Sequence, residues 1–143
     1  MTKPADIGTN ADIVRIRLES AAEKLSEALT LYQNAAKNHL SYNGSISRSY
    51  YAIFKTISAV HALDNISYKR HKDAIANFNK LYIKTGIFPR EFGRKIHQAF
   101  TRRNNSDYDD FYIADADECL EQYEFAKEFL ATIISYCQEK MKV

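Results

Sequence analysis

An arginine followed by an aspartate and a tyrosine is the arrangement in this sequence that could do chemistry. Arg103 and Asp107 are four positions apart, and Tyr108 comes next in a polar run that extends to Asp110. On a continuous helix, side chains four positions apart are neighbours and can form an ion pair, although the order with arginine first is the less favourable one. The pattern therefore permits a structural ion pair or a polar site whose guanidinium stabilises phosphate charge.

Charge is segregated along the chain although the formal net charge is only +2. Residues 69–103 contain ten Lys or Arg and two acidic residues, whereas residues 107–128 contain nine acidic residues and one lysine. A basic surface can hold phosphates, and rings nearby can stack on bases. Lys69, Arg70, Lys72 and Arg102 are therefore candidate nucleic-acid or nucleotide-binding residues, although the two segments can also simply neutralise each other.

Several other kinds of site have no support in the sequence. None of the four histidines has a glutamate three residues before it, as a di-iron or di-manganese bundle requires. The sequence also lacks the spacings of a phosphate-binding loop, a serine hydrolase and a zinc-binding Cys-x-x-Cys pair. The acidic run from Asp107 to Asp110 has no central glycine of the calcium-loop type. We therefore expect no metal and no cofactor.

Length and composition favour one helical domain covering residues 1–143. The chain is 45% hydrophobic and has only four Gly and two Pro, so it lacks the turn-rich stretches of a many-stranded protein. No signal peptide or membrane span is readable, and a cytoplasmic protein is expected. Cys119 and Cys137 are too far apart on one predicted helix for a disulfide and are expected to be reduced.

Apolar residues recur at spacings of three and four in five segments, which predicts five helices. The first covers about residues 12–38 and follows a disordered or extended segment of about residues 1–11. The second is capped by Ser45 or Ser47 and ends near residue 63. Amphipathic helices with short connections pack most simply as an up-and-down bundle, so the predicted fold is an all-α bundle of about five helices.

Turn signals predict where the later helices begin and end. The third helix ends before Gly86 and Pro89, and Pro89 can open the fourth helix. The fourth helix is expected to continue through Arg103 and to loosen in the polar run from residue 104 to residue 110. The last helix begins near Asp115, where acidic side chains favour the positive end of the helix dipole.

The last predicted helix has a wider apolar face than one bundle seam needs. Its predicted inward stripe consists of Leu120, Tyr123, Leu130, Ile134, Cys137 and Met141. The additional apolar residues are Phe125, Phe129, Ile133 and Tyr136. We interpret this additional face as a contact with a second subunit, which predicts a homodimer.

Two motifs resemble those of the HEPN family. The segment Ser47-Arg48-Ser49-Tyr50-Tyr51-Ala52-Ile53-Phe54 is similar to the Ser-Arg-x-Tyr-Tyr-Ala-x-Phe helix of that family. The segment Arg103-Asn104-Asn105-Ser106-Asp107-Tyr108 is similar to the Arg-x-x-x-Asp-Tyr signature of one large subgroup. Taken together, the resemblance covers about residues 14–137 and implies a HEPN helical bundle, commonly a homodimer that brings two signatures together.

The resemblance also implies roles for individual residues. Many HEPN proteins are metal-independent ribonucleases whose signature is an arginine followed, after four to six residues, by a histidine. Arg103 matches the arginine, and Tyr108 stands where the shortest form has the histidine. Because a phenol has an ordinary pKa of about 10, it is a poor general base at neutral pH. The implied catalytic residues are Arg103, Asp107 and Tyr108, and Arg48 and Tyr51 are further candidates for nucleotide contact. The alternative is that Arg48, Tyr51 and Tyr108 form a structural polar cluster.

Two classes of function stay open at this point. The first is a dimeric helical interaction module of a toxin–antitoxin or defence-type system, with a minimal nucleotidyltransferase as its protein partner, as the family often implies. The second is an RNA-directed effector, either an RNA-binding protein or a metal-independent ribonuclease. The absence of the histidine favours the first class.

Overall fold

The computed structural model describes residues 10–142, and these residues form helices with short connections. The elements are α1 (Asn10–Asn38), α2 (Asn43–Leu63), α3 (His71–Phe78), a π-helical segment that continues it (Asn79–Ile83), α4 (Arg90–Tyr108) and α5 (Ala116–Met141). The described residues contain no strand, and the predicted all-α bundle is confirmed. Most of the expected N-terminal segment lies outside the described residues, and positions 10 and 11 already belong to α1.

α2 is the central helix, because α1, α3, α4 and α5 all pack against it. α1 presents Val14, Ala21, Ala28 and Ala35 to the core, each seven residues after the last. Three of these four side chains are a single methyl group, so α1 and α2 can approach each other closely. The hydroxyl of Ser45, buried on α2, donates a hydrogen bond of 2.7 Å to the carbonyl of Ala28 across this contact.

This use of Ser45 corrects the predicted helix cap. α2 begins at Asn43, and its N-cap residue, Tyr42, provides no side-chain cap; the Ser41 hydroxyl accepts instead from the N–H of Asn43 at 3.1 Å. The amide of Asn43 is occupied elsewhere, because it accepts from the backbone N–H of Ala114 and donates to the carbonyl of Tyr112. The predicted boundaries at Gly86 and Asp115 are confirmed: Gly86 has a left-handed φ of 82°, and Asp115 accepts from the N–H of Asp117 at 2.9 Å.

α4 does not loosen after Arg103 as predicted, but continues to Tyr108. Contacts with the start of α2 stabilise these additional turns. The Ser106 hydroxyl donates to the carbonyl of Asn43 at 3.1 Å, and the Ser47 hydroxyl donates to the Asp107 carboxylate at 3.2 Å. The polar side chains that would favour a loop in isolation therefore hold the end of this helix in place.

The inward face of α5 agrees with the predicted stripe at Leu130 and Cys137 and differs from it elsewhere. Phe125, Phe129 and Ile133 are buried within this single chain, whereas Leu120 is 37% exposed. The buried phenylalanines pack against Phe92 of α4 and Phe78 of α3. The face that we interpreted as a contact with a second subunit is the core itself, so it no longer supports a homodimer.

We predict that Phe129→Ala destabilises the fold by about 3–5 kcal/mol, because it removes a fully buried ring and leaves a cavity. Leu120→Ala, on the same helix, is the matched control and should cost much less because its side chain is partly exposed. Urea denaturation followed by circular dichroism measures both changes. Similar losses for the two variants would contradict the orientation of α5 described above.

Candidate functional site

Arg103 occupies a core position of α4. The buried residues of this helix are Phe92, Ile96, Ala99 and Arg103, at the spacing of one helical face. Arg103 is only 8% exposed. The sequence therefore places a permanent positive charge where an apolar side chain is usual, and its environment must compensate for the lost hydration.

Aromatic rings from α2 form one side of this environment. The guanidinium carbon of Arg103 lies 4.8 Å from the ring centre of Tyr50 and 5.6 Å from that of Tyr51. Guanidinium groups over aromatic faces are stabilised by the negative face of the ring, and the more so when they are desolvated. The carboxylate of Asp107 lies 3.7 Å from the Nη1 atom of Arg103. The two residues predicted as neighbours on one helix are thus brought together.

His71, the first residue of α3, completes the surroundings of Arg103. The Nη2 atom of Arg103 lies 3.2 Å from the Nδ1 atom of His71, and the Tyr50 hydroxyl lies 2.8 Å from the same nitrogen. The imidazole stacks on Phe54 with ring centres 3.6 Å apart. Because a guanidinium can only donate, Nδ1 must be the acceptor, and a neutral His71 carries its proton on Nε2.

The electrostatics of the cluster agree with this assignment. Burial and then the positive charges of Arg103 and Lys55 lower the pKa of His71, which favours the neutral imidazole. Burial raises the pKa of Tyr50 to about 12, although the guanidinium acts in the opposite direction. Burial alone would lower the pKa of Arg103, but Tyr50, Tyr51 and Asp107 raise it overall. The cluster therefore contains one cation, a neutral imidazole and a protonated phenol.

Tyr50 and His71 were not among the candidate residues from the sequence. Tyr50 lies within the quoted family-like motif, and its helical spacing predicted a core residue, not a contact with Arg103. His71 is 32 residues before Arg103, and only the packing of α3 against α2 brings it to the arginine. The spacing of residues within one helix could therefore not predict this contact.

Tyr108 does not share the surroundings of Arg103. Its side chain is 76% exposed, at the end of α4. Five helical positions correspond to a rotation of about 140°, so a residue at position 108 points away from a residue at position 103. The structure thus brings Arg103 and Asp107 together and leaves Tyr108 in solvent.

The other arginine and tyrosine candidates are engaged in contacts within the chain. Arg102 contacts Glu118 at 3.3 Å and Glu121 at 3.4 Å, and only 14% of its side chain is exposed. Arg48 lies 3.3 Å from Glu27 of α1. Tyr51 is half-buried beneath Arg103. Each of these side chains therefore has its own partner within the chain.

The remaining basic candidates lie together on the surface, just before α3 and in its first turn. Lys69, Arg70 and Lys72 are exposed, and Arg70 forms an ion pair of 2.8 Å with Asp73. This exposed segment flanks His71. Of all the candidates, these three cations are the ones best placed to meet an anionic ligand.

Neither a metal site nor a membrane span emerges from residues 10–142. In this part of the chain no three His, Cys, Asp or Glu side chains are grouped so that they could hold a metal ion. None of the helices in the same residues is long and apolar enough to cross a bilayer.

Comparison with known proteins identifies the family. The model of the HEPN domain matches residues 14–139, which is most of the chain. The chain belongs to the HEPN domain family. A Thermotoga maritima protein named "UPF0332 protein" is 27% identical over 79% of this chain and 82% of the relative. Two Methanocaldococcus jannaschii proteins, each named "putative toxin", are 30% identical; one match covers 69% of this chain and 72% of the relative, the other 64% and 62%.

We predict that the free energy of unfolding of this HEPN domain falls as the pH is lowered from about 6.5 to about 5. Burial lowers the pKa of both His71 and His61. The unfolded chain therefore binds protons more readily than the folded chain, and the stability present above the ordinary histidine pKa is lost as the pH falls. Urea denaturation at several pH values measures this dependence.

Replacement of His71 by Gln should make this pH dependence shallower, because one of the two imidazoles with a lowered pKa is removed. His39→Asn is the matched control. His39 is exposed at the end of α1 with a φ of 54°, a conformation that Asn tolerates, so its replacement should leave the dependence unchanged. An identical pH dependence in wild type and His71→Gln would contradict the proposed protonation of the cluster.

Proposed function

We propose that this HEPN domain acts by binding proteins rather than by cleaving RNA. It serves as a dimeric helical module of a toxin–antitoxin or defence-type system, and its partner is a minimal nucleotidyltransferase. The environment of Arg103 is the observation that carries this proposal.

A catalytic arginine must reach the phosphate oxygens on which charge develops. Arg103 is instead 8% exposed, packs over Tyr50 and Tyr51, and donates to His71. Withdrawing it would break its hydrogen bond to His71 and its contacts with the two tyrosine rings, which costs free energy. This arrangement supports a structural role, in which the arginine joins α4 to α2 and α3.

The position of Tyr108 supports the same conclusion. A general base must lie within hydrogen-bond reach of the proton that it removes. Tyr108 is instead 76% exposed and extends into solvent away from Arg103. An arginine and a base that point in different directions do not form one catalytic site within a single chain.

The surface near Tyr108 supports protein binding. Phe111 is 93% exposed and Ile113 is 86% exposed in the connection between α4 and α5. Large exposed apolar side chains that lie together usually mark a contact with another protein. The names of the two Methanocaldococcus jannaschii relatives support a role in a toxin–antitoxin-type pair.

An RNA-directed function is the second candidate, because His71 supplies an imidazole beside Arg103 from a distant part of the chain. A ribose 2′-hydroxyl must lose a proton as it attacks the adjacent phosphorus, and a neutral imidazole can accept one. The exposed cations Lys69, Arg70 and Lys72 flank this histidine and could bind the RNA backbone. This function requires Arg103 and His71 to become accessible in the complex.

We predict that the purified protein does not cleave RNA in the presence of a chelator. Wild type, Arg103→Ala and Tyr108→His should all give the background rate in a gel assay, since general-base catalysis needs both groups at one place. Arg102→Ala is the matched control for loss of a neighbouring arginine. Cleavage by wild type that is lost in both Arg103→Ala and His71→Ala, but kept in Arg102→Ala, would establish the RNA-directed function instead.

We also predict that the protein forms a stable complex with a minimal nucleotidyltransferase encoded beside it. Co-expression followed by gel filtration should give one species that contains both chains. Arg103→Ala should weaken this complex only to the extent that it lowers the stability of the domain, which thermal denaturation measures separately. Separate elution of the two folded proteins, or the absence of such a neighbouring reading frame, would contradict the proposed partner.

A further inference from the structure

The connection between α4 and α5 holds the most exposed large apolar side chains in the described part of the chain. We call residues 107–113 the tip. Within it, Tyr108 is 76%, Phe111 93% and Ile113 86% exposed. Burial of such side chains stabilises a protein, and this gain is not realised in the single chain.

Hydrogen bonds hold the tip in this conformation. Asp109 accepts from the backbone N–H of Phe111 at 3.0 Å, and its carbonyl accepts from Tyr112 at 3.1 Å. The side chain of Asn43 fixes the following residues by accepting from the N–H of Ala114 at 3.1 Å and donating to the carbonyl of Tyr112. The outward direction of Phe111 and Ile113 is therefore set by the fold, and a partner would bind a preorganised surface.

The charge of the tip restricts what can cover it. Asp107, Asp109 and Asp110 lie among the apolar side chains, and Asp115 and Asp117 follow. Two tips placed against each other would bring like charges together, which is strongly unfavourable at an interface. An RNA backbone is disfavoured for the same reason. The occupant needs an apolar pocket with a basic rim.

The opposite end of α4 offers such a pocket. Lys84, Arg90 and Arg94 line a cleft of about 720 Å³. Asn79 and Gly93 join it to a second cavity of about 380 Å³, which has an apolar lining that includes Ile75 and Phe100, together with Lys72 and His97. We call these two cavities the groove. Because a cavity of about 150 Å³ accepts a benzene molecule, the second cavity can accept a phenylalanine ring.

The charges on α4 are not those that would stabilise the isolated helix. A helix dipole favours acidic residues in the first turn and basic residues in the last turn. In α4, Arg90 and Arg94 lie near the start and Asp107 lies in the last turn, against this preference, whereas Glu91 in the first turn follows it. This reversed arrangement is explained if the two ends bind surfaces of opposite charge.

We propose that the tip of one copy of this chain docks in the groove of a second copy, and that the second copy returns the same contact. The 19 residues of α4 extend over about 27 Å. Two antiparallel copies of α4 around a twofold axis place each tip beside the groove of the other copy. Such a contact is self-complementary and closes at two subunits. It rests on the dimeric module proposed above and gives that dimer its interface.

In this interface Phe111 enters the cavity lined by Ile75 and Phe100 of the other copy. Asp109 and Asp110 face its Arg90 and Arg94. Each copy contributes one apolar anchor and one acidic patch, so the dimer contains the same set of contacts twice. Loss of either the anchor or the charge complementarity should therefore weaken the dimer strongly.

An exchange of charge between the two surfaces tests this interface. The tip variant is Asp109→Lys with Asp110→Lys, and the groove variant is Arg90→Glu with Arg94→Glu. Acidic residues suit the first turns of a helix, and Arg94 and Glu91 form a solvent-exposed ion pair, so the groove variant should fold. Circular dichroism checks both variants.

Sedimentation velocity at micromolar concentration should show that the wild type has twice the chain mass of 16.5 kDa. Each double variant alone should be monomeric, with a dimer dissociation constant raised by at least about 100-fold, because both contacts become repulsive. An equimolar mixture should restore a dimer containing one copy of each, since both contacts are then attractive. This restoration distinguishes the reciprocal interface from any other dimer.

A second measurement does not depend on the folding of the charge variants. Phe111→Ser removes a side chain that the single chain leaves exposed, and it should weaken the dimer. Ile16→Ser is the matched control, because Ile16 is also an exposed apolar residue, 57% exposed on α1, and should leave the dimer unchanged. A monomeric wild type, double variants that stay dimeric, or a mixture that stays monomeric would each overturn the proposal. If the tip variant instead stays dimeric but loses a nucleotidyltransferase, the proposed function survives and this interface does not.

Discussion

A buried guanidinium is the constraint on which the centre of this HEPN domain depends. An unpaired charge in a protein interior is very unfavourable, so the chain must surround Arg103 with groups that replace water. Tyr50 and Tyr51 come from α2, His71 from α3 and Asp107 from the additional turns of α4. These groups can meet only if the three helices take one relative arrangement. Burial of the guanidinium therefore requires this packing of α2, α3 and α4, and the packing in turn excludes water from the guanidinium.

The two ends of α4 carry opposite charge, and different parts of the chain pack against them. Near its start, Gly93 lets the helix approach the π-helical segment so closely that a methyl group there would lie 2.9 Å from the Asn79 side chain. Near its end, hydrogen bonds from Ser47 and Ser106 hold the helix against α2. A rigid helix therefore separates a basic surface from an acidic, apolar one by a fixed distance.

Local sequence patterns predicted the number of helices and several boundaries, because caps and breakers such as Asp115 and Gly86 act over a few residues. They did not predict which face of α5 is buried, since apolar residues lie on both faces and only packing against Phe92 and Phe78 decides between them. The pairing of Arg103 with Asp107 was readable from their spacing. The contact with His71 depends on tertiary structure, so the local sequence pattern could not predict it.

The two reduced cysteines lie in different regions of α5 and are both fully buried. Burial raises the pKa of Cys119, and it raises that of Cys137 to about 11, so neither thiol is reactive while the helix is packed. Cys119 lies beside Tyr42 near the connection from α4, whereas Cys137 belongs to the main aromatic core. Alkylation of each thiol therefore reports a separate local opening. The natural chain carries two internal probes of its own breathing motions, one at each end of its last helix.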